Sequence, residues 1–403
     1  MKNLLNIPLM ILTFMVSCGF YSCSDNPVVS WKSETGQAVN EHFILNVYIE
    51  NSGSMDGYMC SGSQLKDAVY SYVSALDSYA DTTALNYINS VVIPYKGGVK
   101  SFIKDLNPLS FKKAGGNTAN SDITNMLEKI ISANDTNVVS IFVSDCILDV
   151  PEDDASKYFH LKKIELKNAL VKGLNKNKNL SIEILRLKSA FTGRYFYNHG
   201  FEKLEDVERP YYMWVIGDKS KLATLHKKVP YSGNLEHGYE NIFSWSTPSN
   251  VDFEICNKHG MASNDIILRN VEKDDKYHFF IKVNMKNTLQ DDTVLCSTQY
   301  YKKNNSFIDI EGVSMISSKE KNYTHILDVA LSPIYNSAAE NIVFLAPTYP
   351  SWGSEVNDDT GNDIKSNLNK TTGIKYLLEG IANAYKDKNE LFSLKFVINK
   401  NKK

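Results

Sequence analysis

Three short polar segments of this chain bring hydroxyls and carboxylates close together. They are Glu50-Asn51-Ser52-Gly53-Ser54-Met55, then Gly115-Gly116-Asn117-Thr118 running on to Ser121-Asp122, and finally Ser144-Asp145. Their oxygens are hard donors, the kind that Mg²⁺ and Ca²⁺ take. Each segment alone has a plainer use, because Ser and Asp cap helices and close turns. Asp56 lies beside the first segment, and Asp149, Glu152, Asp153 and Asp154 follow the third. These five read as solvated carboxylates, and the spacing of an EF-hand is absent. Cys60 and Cys146 follow loops on the same expected face and are candidates for a disulfide, while Arg194-Tyr195-Phe196-Tyr197 reads as an aromatic contact or packing segment. The chain has no Gly-x-Ser-x-Gly elbow, P-loop, His-Glu-x-x-His or zinc-type Cys/His spacing.

The elements that must position these segments alternate in pattern. His42 to Glu50 is a short apolar run, read as a buried strand, and Leu65 to Tyr79 has helical spacing. Leu85 to Tyr95 and Val99 to Ile103 read as strands, and 105–120 as a polar loop. Ile123 to Ile131 reads as a helix, and Val138 to Ser144 as the most continuously apolar strand. A basic helix over 156–174, strands at Leu180–Leu187 and Tyr211–Ile216, and a helix at Ser220–Lys227 follow. Alternation of this sort predicts βαβ units and a mostly parallel sheet, whose ligands sit beyond the carboxyl ends of the strands. From 231 onward, strand-like segments recur at 251–256, 264–270, 277–285, 293–301, 306–315, 323–331 and 341–346. A helix at 372–386 and a strand at 391–398 end the pattern. The expectation is an α/β domain over 42–230 and a β-rich, sandwich-like domain with a C-terminal helix over 231–403.

Together, the first segment and the Ser144-Asp145 ending resemble the metal-ion-dependent adhesion site of von Willebrand factor A-type domains. The resemblance covers roughly 42–228 and implies a doubly wound, Rossmann-like, mostly parallel sheet. It also implies that Ser52 and Ser54 coordinate a divalent cation directly and that Asp145 acts through water. The third-loop hydroxyl would come from Thr118 or Ser121; Thr118 follows the Gly pair better, and Ser121-Asp122-Ile123 better matches the family's helix start. Mg²⁺ is the implied ion, with Ca²⁺ or Mn²⁺ as alternatives. Glu50 stands where the family has Asp, and its extra methylene shifts the carboxylate by about 1.5 Å. That departure leaves open a site adjusted around Glu50, one that takes a different ion, or one that has lost its metal.

Met1-Lys2-Asn3 and the apolar run from Leu4 to about Val16 have the form of a secretory signal. Ser22-Cys23, and less well Ser17-Cys18, resemble the acylation site of bacterial lipoproteins. Residues 1–23 are therefore expected to be a lipoprotein signal and 24–41 a polar tether. A net charge of −2 gives no reason to expect nucleic-acid binding. The expected protein is a cell-envelope lipoprotein, anchored in the outer membrane by its acyl chains, that holds a protein or peptide partner by an acidic residue of that partner. A metal-assisted hydrolase on the same face and a structural envelope protein are the alternatives.

Overall fold

Val138–Ser144 is buried at every position, as a strand with helices on both sides must be. It lies inside a seven-stranded sheet within a computed structural model. The described residues are 26–32, 42–119, 121–150, 154–197, 200–245, 251–269, 271–272, 274–317, 322–363 and 365–400. The expected signal segment, with Cys18 and Cys23, lies outside them, as does most of the expected tether.

Strand β1 (Pro27–Ser30) comes first. The α/β layer follows with β2 (Ile44–Glu50), α1 (Gln64–Asp77), β3 (Thr82–Ile88), β4 (Val92–Pro94), α2 (Val99–Asp105), α3 (Pro108–Lys113) and α4 (Ile123–Ala133). It continues with β5 (Val138–Ser144), α5 (Ala155–Lys176), β6 (Leu180–Tyr197), β7 (Gly200–Asp218), α6 (Lys219–Lys228) and β8 (Asn241–Trp245). The strand order is β4-β3-β2-β5-β7-β6-β8. Side chains alternate across the sheet. Leu45, Val47 and Ile49 join the core under α1, α2, α3 and α6, whereas Tyr48 joins the core under α4 and α5.

The doubly wound, mostly parallel sheet expected from the sequence is not the fold of this chain. Within this sheet only β2–β3 and β2–β5 pair in parallel among the described residues; β3–β4, β5–β7, β6–β7 and β6–β8 are antiparallel. The cause is one long hairpin. β6 and β7 pair from Leu180↔Asp218 to Tyr197↔Gly200 with no helix between them, so they cannot run parallel. Three local expectations also change. Val99–Asp105 is a helix opening after Gly98, and Pro108–Lys113 is a short helix inside the expected loop, capped by Asn107, whose side chain accepts from the Ser110 N–H. The expected strand at 293–301 is instead α7 (Asp292–Leu295) and a 3₁₀ turn.

Beyond β8 lie β9 (Phe253–Cys256), β10 (Asp265–Ile267), β11 (Tyr277–Val283), β12 (Tyr301–Lys303), β13 (Ile308–Met315), β14 (His325–Leu331) and β15 (Ala338–Leu345). The short β16 (Asn357–Asp358) and β17 (Thr371–Thr372), α8 (Ile374–Ala384) and β18 (Glu390–Lys400) complete the described elements. Two antiparallel sheets, β10-β1-β18-β15-β12 and β13-β14-β11-β9, share one core. Phe279 and Phe396 meet across it at 5.6 Å between ring centroids. Pro27–Ser30, expected within the tether, is thus a strand, held between β10 and β18. The two halves also interlock. β8, placed by sequence in the second domain, pairs with β6, and α8 packs on α5 through stacked Phe159 and Tyr376 rings at 4.8 Å. Ile374, Leu377, Leu378 and Ile381 are fully buried in the α/β core. No helix of the described residues is long and apolar enough to cross a membrane.

Candidate functional site

The three polar segments converge at the carboxyl ends of β2 and β5. Glu50 is the last residue of β2 and is 0% exposed. Its carboxylate accepts from Ser121 Oγ at 2.5 Å and from Ser144 Oγ at 2.5 Å. Ser144 ends β5 and also accepts from the Cys146 N–H at 2.7 Å. Ser121 immediately precedes the N-cap of α4, Asp122, which accepts from the Asn125 N–H and is held by Lys162 at 2.9 Å. The helix start therefore fixes the Ser121 hydroxyl over Glu50.

After Ser52 the chain makes a 3₁₀ turn, Gly53–Met59. The turn places the Ser52 and Ser54 hydroxyls 3.0 Å apart, and Gly53 N–H donates to the Thr118 carbonyl at 2.9 Å. Thr118 is thus tied in by its backbone, and it lines the cleft together with Ser121. Asn89 links the first two segments, since its amide donates to Asn51 Oδ1 at 2.8 Å and to the Gly115 carbonyl at 2.9 Å. Gly116 has φ +74, and a Cβ there would fall 2.1 Å from Asn89 Oδ1, so only Gly fits. Asp145 is 1% exposed; its Oδ1 accepts from the Ile147 N–H, and its Oδ2 has no hydrogen-bond partner. The next residue, Cys146, holds φ 55, a conformation that a non-glycine side chain adopts only when its surroundings enforce it.

Burial raises both carboxyls. Glu50 is pushed up to about 7 by burial and by the neighbouring Asp145 charge, with the Ser121, Ser144 and Ser52 hydroxyls pulling it back. Asp145 is also raised by burial, against the pull of Ser54, the Ile147 N–H and Arg209. Above the pair opens a cleft of about 480 Å³. Its lining includes Ser52, Ser54, Ser121, Asp56, Asp149 and Phe196. The second half of the chain contributes Gly361 and Thr372, and the Leu148 N–H donates to the Thr372 carbonyl at 3.1 Å.

All six residues proposed from sequence as metal ligands therefore meet at one cleft or directly beneath it. Others do not. Asp154 is the N-cap of α5, and Glu152 and Asp153 lie outside the described residues. Cys60 and Cys146 are free thiols, and Cys146 Sγ accepts from Trp214 Nε1 at 3.2 Å. Phe196 and Tyr197 line the cleft, while Tyr195 is buried. Sequence reasoning missed Asn89 and Arg209. The signal for Asn89 was a polar residue directly after Ile88, at the same sheet end as Glu50.

The donors are all hydroxyl or carboxylate oxygens, and one buried carboxylate oxygen lacks a partner. That set fits a hard divalent cation. Neither a protein-family model nor a curated protein sequence matches this chain.

Proposed function

We propose that the protein binds a protein or peptide partner through a divalent cation held at this cleft, from a lipid-anchored position in the cell envelope. Glu50, Ser52, Ser54, Asp145 and a hydroxyl from Ser121 or Thr118 would hold the ion, with Mg²⁺ the first choice and Ca²⁺ or Mn²⁺ the alternatives. The observation that carries the reading is the unpartnered Asp145 Oδ2, buried beside Glu50 beneath three cleft-facing serines. Two buried carboxylates repel each other and are desolvated, and a divalent cation relieves both costs. The bound cation supplies one open position for an acidic group of the partner. The chain's own part is to fix the hydroxyls, exclude bulk water from Glu50 and Asp145, and present Phe196 beside the opening. The residue types resemble those of von Willebrand A-type adhesion sites, although the sheet differs.

Calorimetric titration of Mg²⁺, Mn²⁺ and Ca²⁺ tests this, with a Ser52→Ala/Ser54→Ala variant beside the native sequence. Saturable binding that the variant loses is the expected result. Absence of binding to the native sequence sinks the reading.

Metal-assisted hydrolysis at the same face is a second reading, favoured by two buried carboxyls, Glu50 and Asp145, beneath a cleft wide enough for a small ester. Turnover of an ester and phosphoester panel, abolished by Glu50→Gln, would select it.

A further inference from the structure

Pro27 opens β1 and pairs with Lys400, the last residue of β18. On its other side the Leu268 N–H donates to the Pro27 carbonyl at 2.9 Å, and exposed Arg269 comes next in the chain. Lys400 reaches a third segment. Its N–H donates to Ser337 Oγ at 3.0 Å, and its Nζ lies 5.7 Å from the centroid of the Tyr335 ring. Beside Tyr335 stands Ile334, which is 89% exposed, more than any other large apolar side chain among the described residues. A lone exposed isoleucine needs no explanation. This one shares an end of the sandwich with two cations and with the start of the first strand. The acidic side chains of the loop after Arg269 are mostly engaged. Glu272 pairs with Lys258 at 2.7 Å and Asp274 with His278 at 3.0 Å, which leaves Asp275 to set against Arg269 and Lys400.

The chain that precedes this end says what would cover it. Cys23, the expected acylation site, lies outside the described residues, only four positions before Pro27. Four residues span at most about 14 Å. A tether running to residue 41 would let the folded body drift well away from its anchor, but β1 already holds the chain from Pro27. Resting on the lipid-anchored reading above, we propose that the end of the sandwich formed by Pro27, Arg269, Ile334 and Lys400 lies against an anionic lipid surface. Ile334 enters the boundary between headgroups and acyl chains, and Arg269 and Lys400 meet lipid phosphates. Lys402 and Lys403, which follow in the sequence, add charge of the same sign. An acyl anchor alone sets the distance of the body from the bilayer and leaves its tilt free. A second, protein-borne contact fixes the tilt.

The experiment uses the chain from Ser24, which keeps every described element and carries no acyl chain. It is sedimented with vesicles of phosphatidylcholine alone, or with about a third of the lipid replaced by phosphatidylglycerol. Binding to the anionic vesicles is expected, about tenfold weaker in Arg269→Glu/Lys400→Glu and at raised salt. Ile334→Ser should weaken it about fivefold. Leu109→Ser, at a leucine of the α/β half that is 65% exposed, should change nothing. Absence of binding to the anionic vesicles overturns the proposal, as does equally tight binding to phosphatidylcholine alone. Equal losses in Leu109→Ser and Ile334→Ser overturn it too, since the contact would then belong to no particular face. The mass of the Cys23 peptide, taken from protein recovered from its own cells, decides the anchor separately. A peptide without acyl mass overturns the lipid-anchored reading, while the vesicles still decide this surface.

Discussion

Glu50 concentrates the energetics of the site in one side chain. It ends the first strand of the α/β layer fully buried, with two serine hydroxyls on its carboxylate. Its folded-state carboxyl is raised from 4.5 to about 7, so the folded protein holds this proton more tightly than the unfolded chain does. The stabilisation is complete below about 4.5 and is lost as pH rises through about 7. A shift of that size corresponds to about 3 kcal/mol. Glu50→Gln should therefore raise the stability of the metal-free protein at pH 8, leave it little changed at pH 4, and remove cation binding. Urea denaturation at both pH values checks this, and equal gains at the two pH values would show that ionisation of Glu50 is not the cause. Ser144→Ala leaves one carboxylate oxygen without its donor and should cost about 1–3 kcal/mol in the same assay at pH 8.

At the scale of elements, the 3₁₀ turn Gly53–Met59 is clamped against the β6–β7 hairpin. A Cβ on Gly57 would fall 2.3 Å from the Phe191 ring, and Gly193 lies against the Gly57 backbone. Gly57→Ala should destabilise by about 1–3 kcal/mol through overpacking. Because the turn also carries Ser54, the same change should weaken cation binding; unaltered binding would mean that the hairpin does not position the turn. This clamp was invisible in the sequence, as was the hairpin itself. Leu180–Leu187 and Tyr211–Ile216 announce themselves by apolar runs, but the polar stretch between them hides that they are halves of one continuous pair. Read as separate strands, they suggested parallel crossovers. Val99–Ile103 is too short to read by itself, yet its apolar residues Val99, Phe102 and Ile103 stand at i, i+3 and i+4, the spacing of the helix that begins after Gly98. The ends of β2 and β5 were legible because short, mostly apolar runs stop abruptly at Glu50 and Ser144-Asp145. Arg209 was not, because a single basic residue carries no periodicity, and its burial depends on a pairing across the hairpin.

For the molecule as a whole, the decisive contact is the return of the chain to its first core. α8 buries Ile374, Leu377, Leu378 and Ile381 against α5 and the sheet, and Tyr385 donates its hydroxyl to the Leu180 carbonyl at 2.9 Å. The Lys163–Glu379 pair at 2.9 Å accompanies this seam and, being partly solvated, should be worth under about 1 kcal/mol. Calorimetry of the protein should show a single cooperative transition spanning both halves. A fragment of residues 42–245 should expose the face that α8 covers and bind a hydrophobic dye. Two separate transitions, or a soluble fragment that ignores the dye, would mean that the halves are independent.

That return has a consequence for timing. The cleft wall needs Gly361 and Thr372, and the core beside it needs α8, so the pocket cannot exist while the chain is being made only as far as the first sheet. Contacts so distant in sequence close late and slowly, and the apolar face waiting for α8 stays exposed to aggregation until they do. A nascent copy therefore passes through a long interval before the cleft is complete. During that interval a factor that shields apolar surface should raise the yield of binding-competent protein more than it raises the yield of total protein.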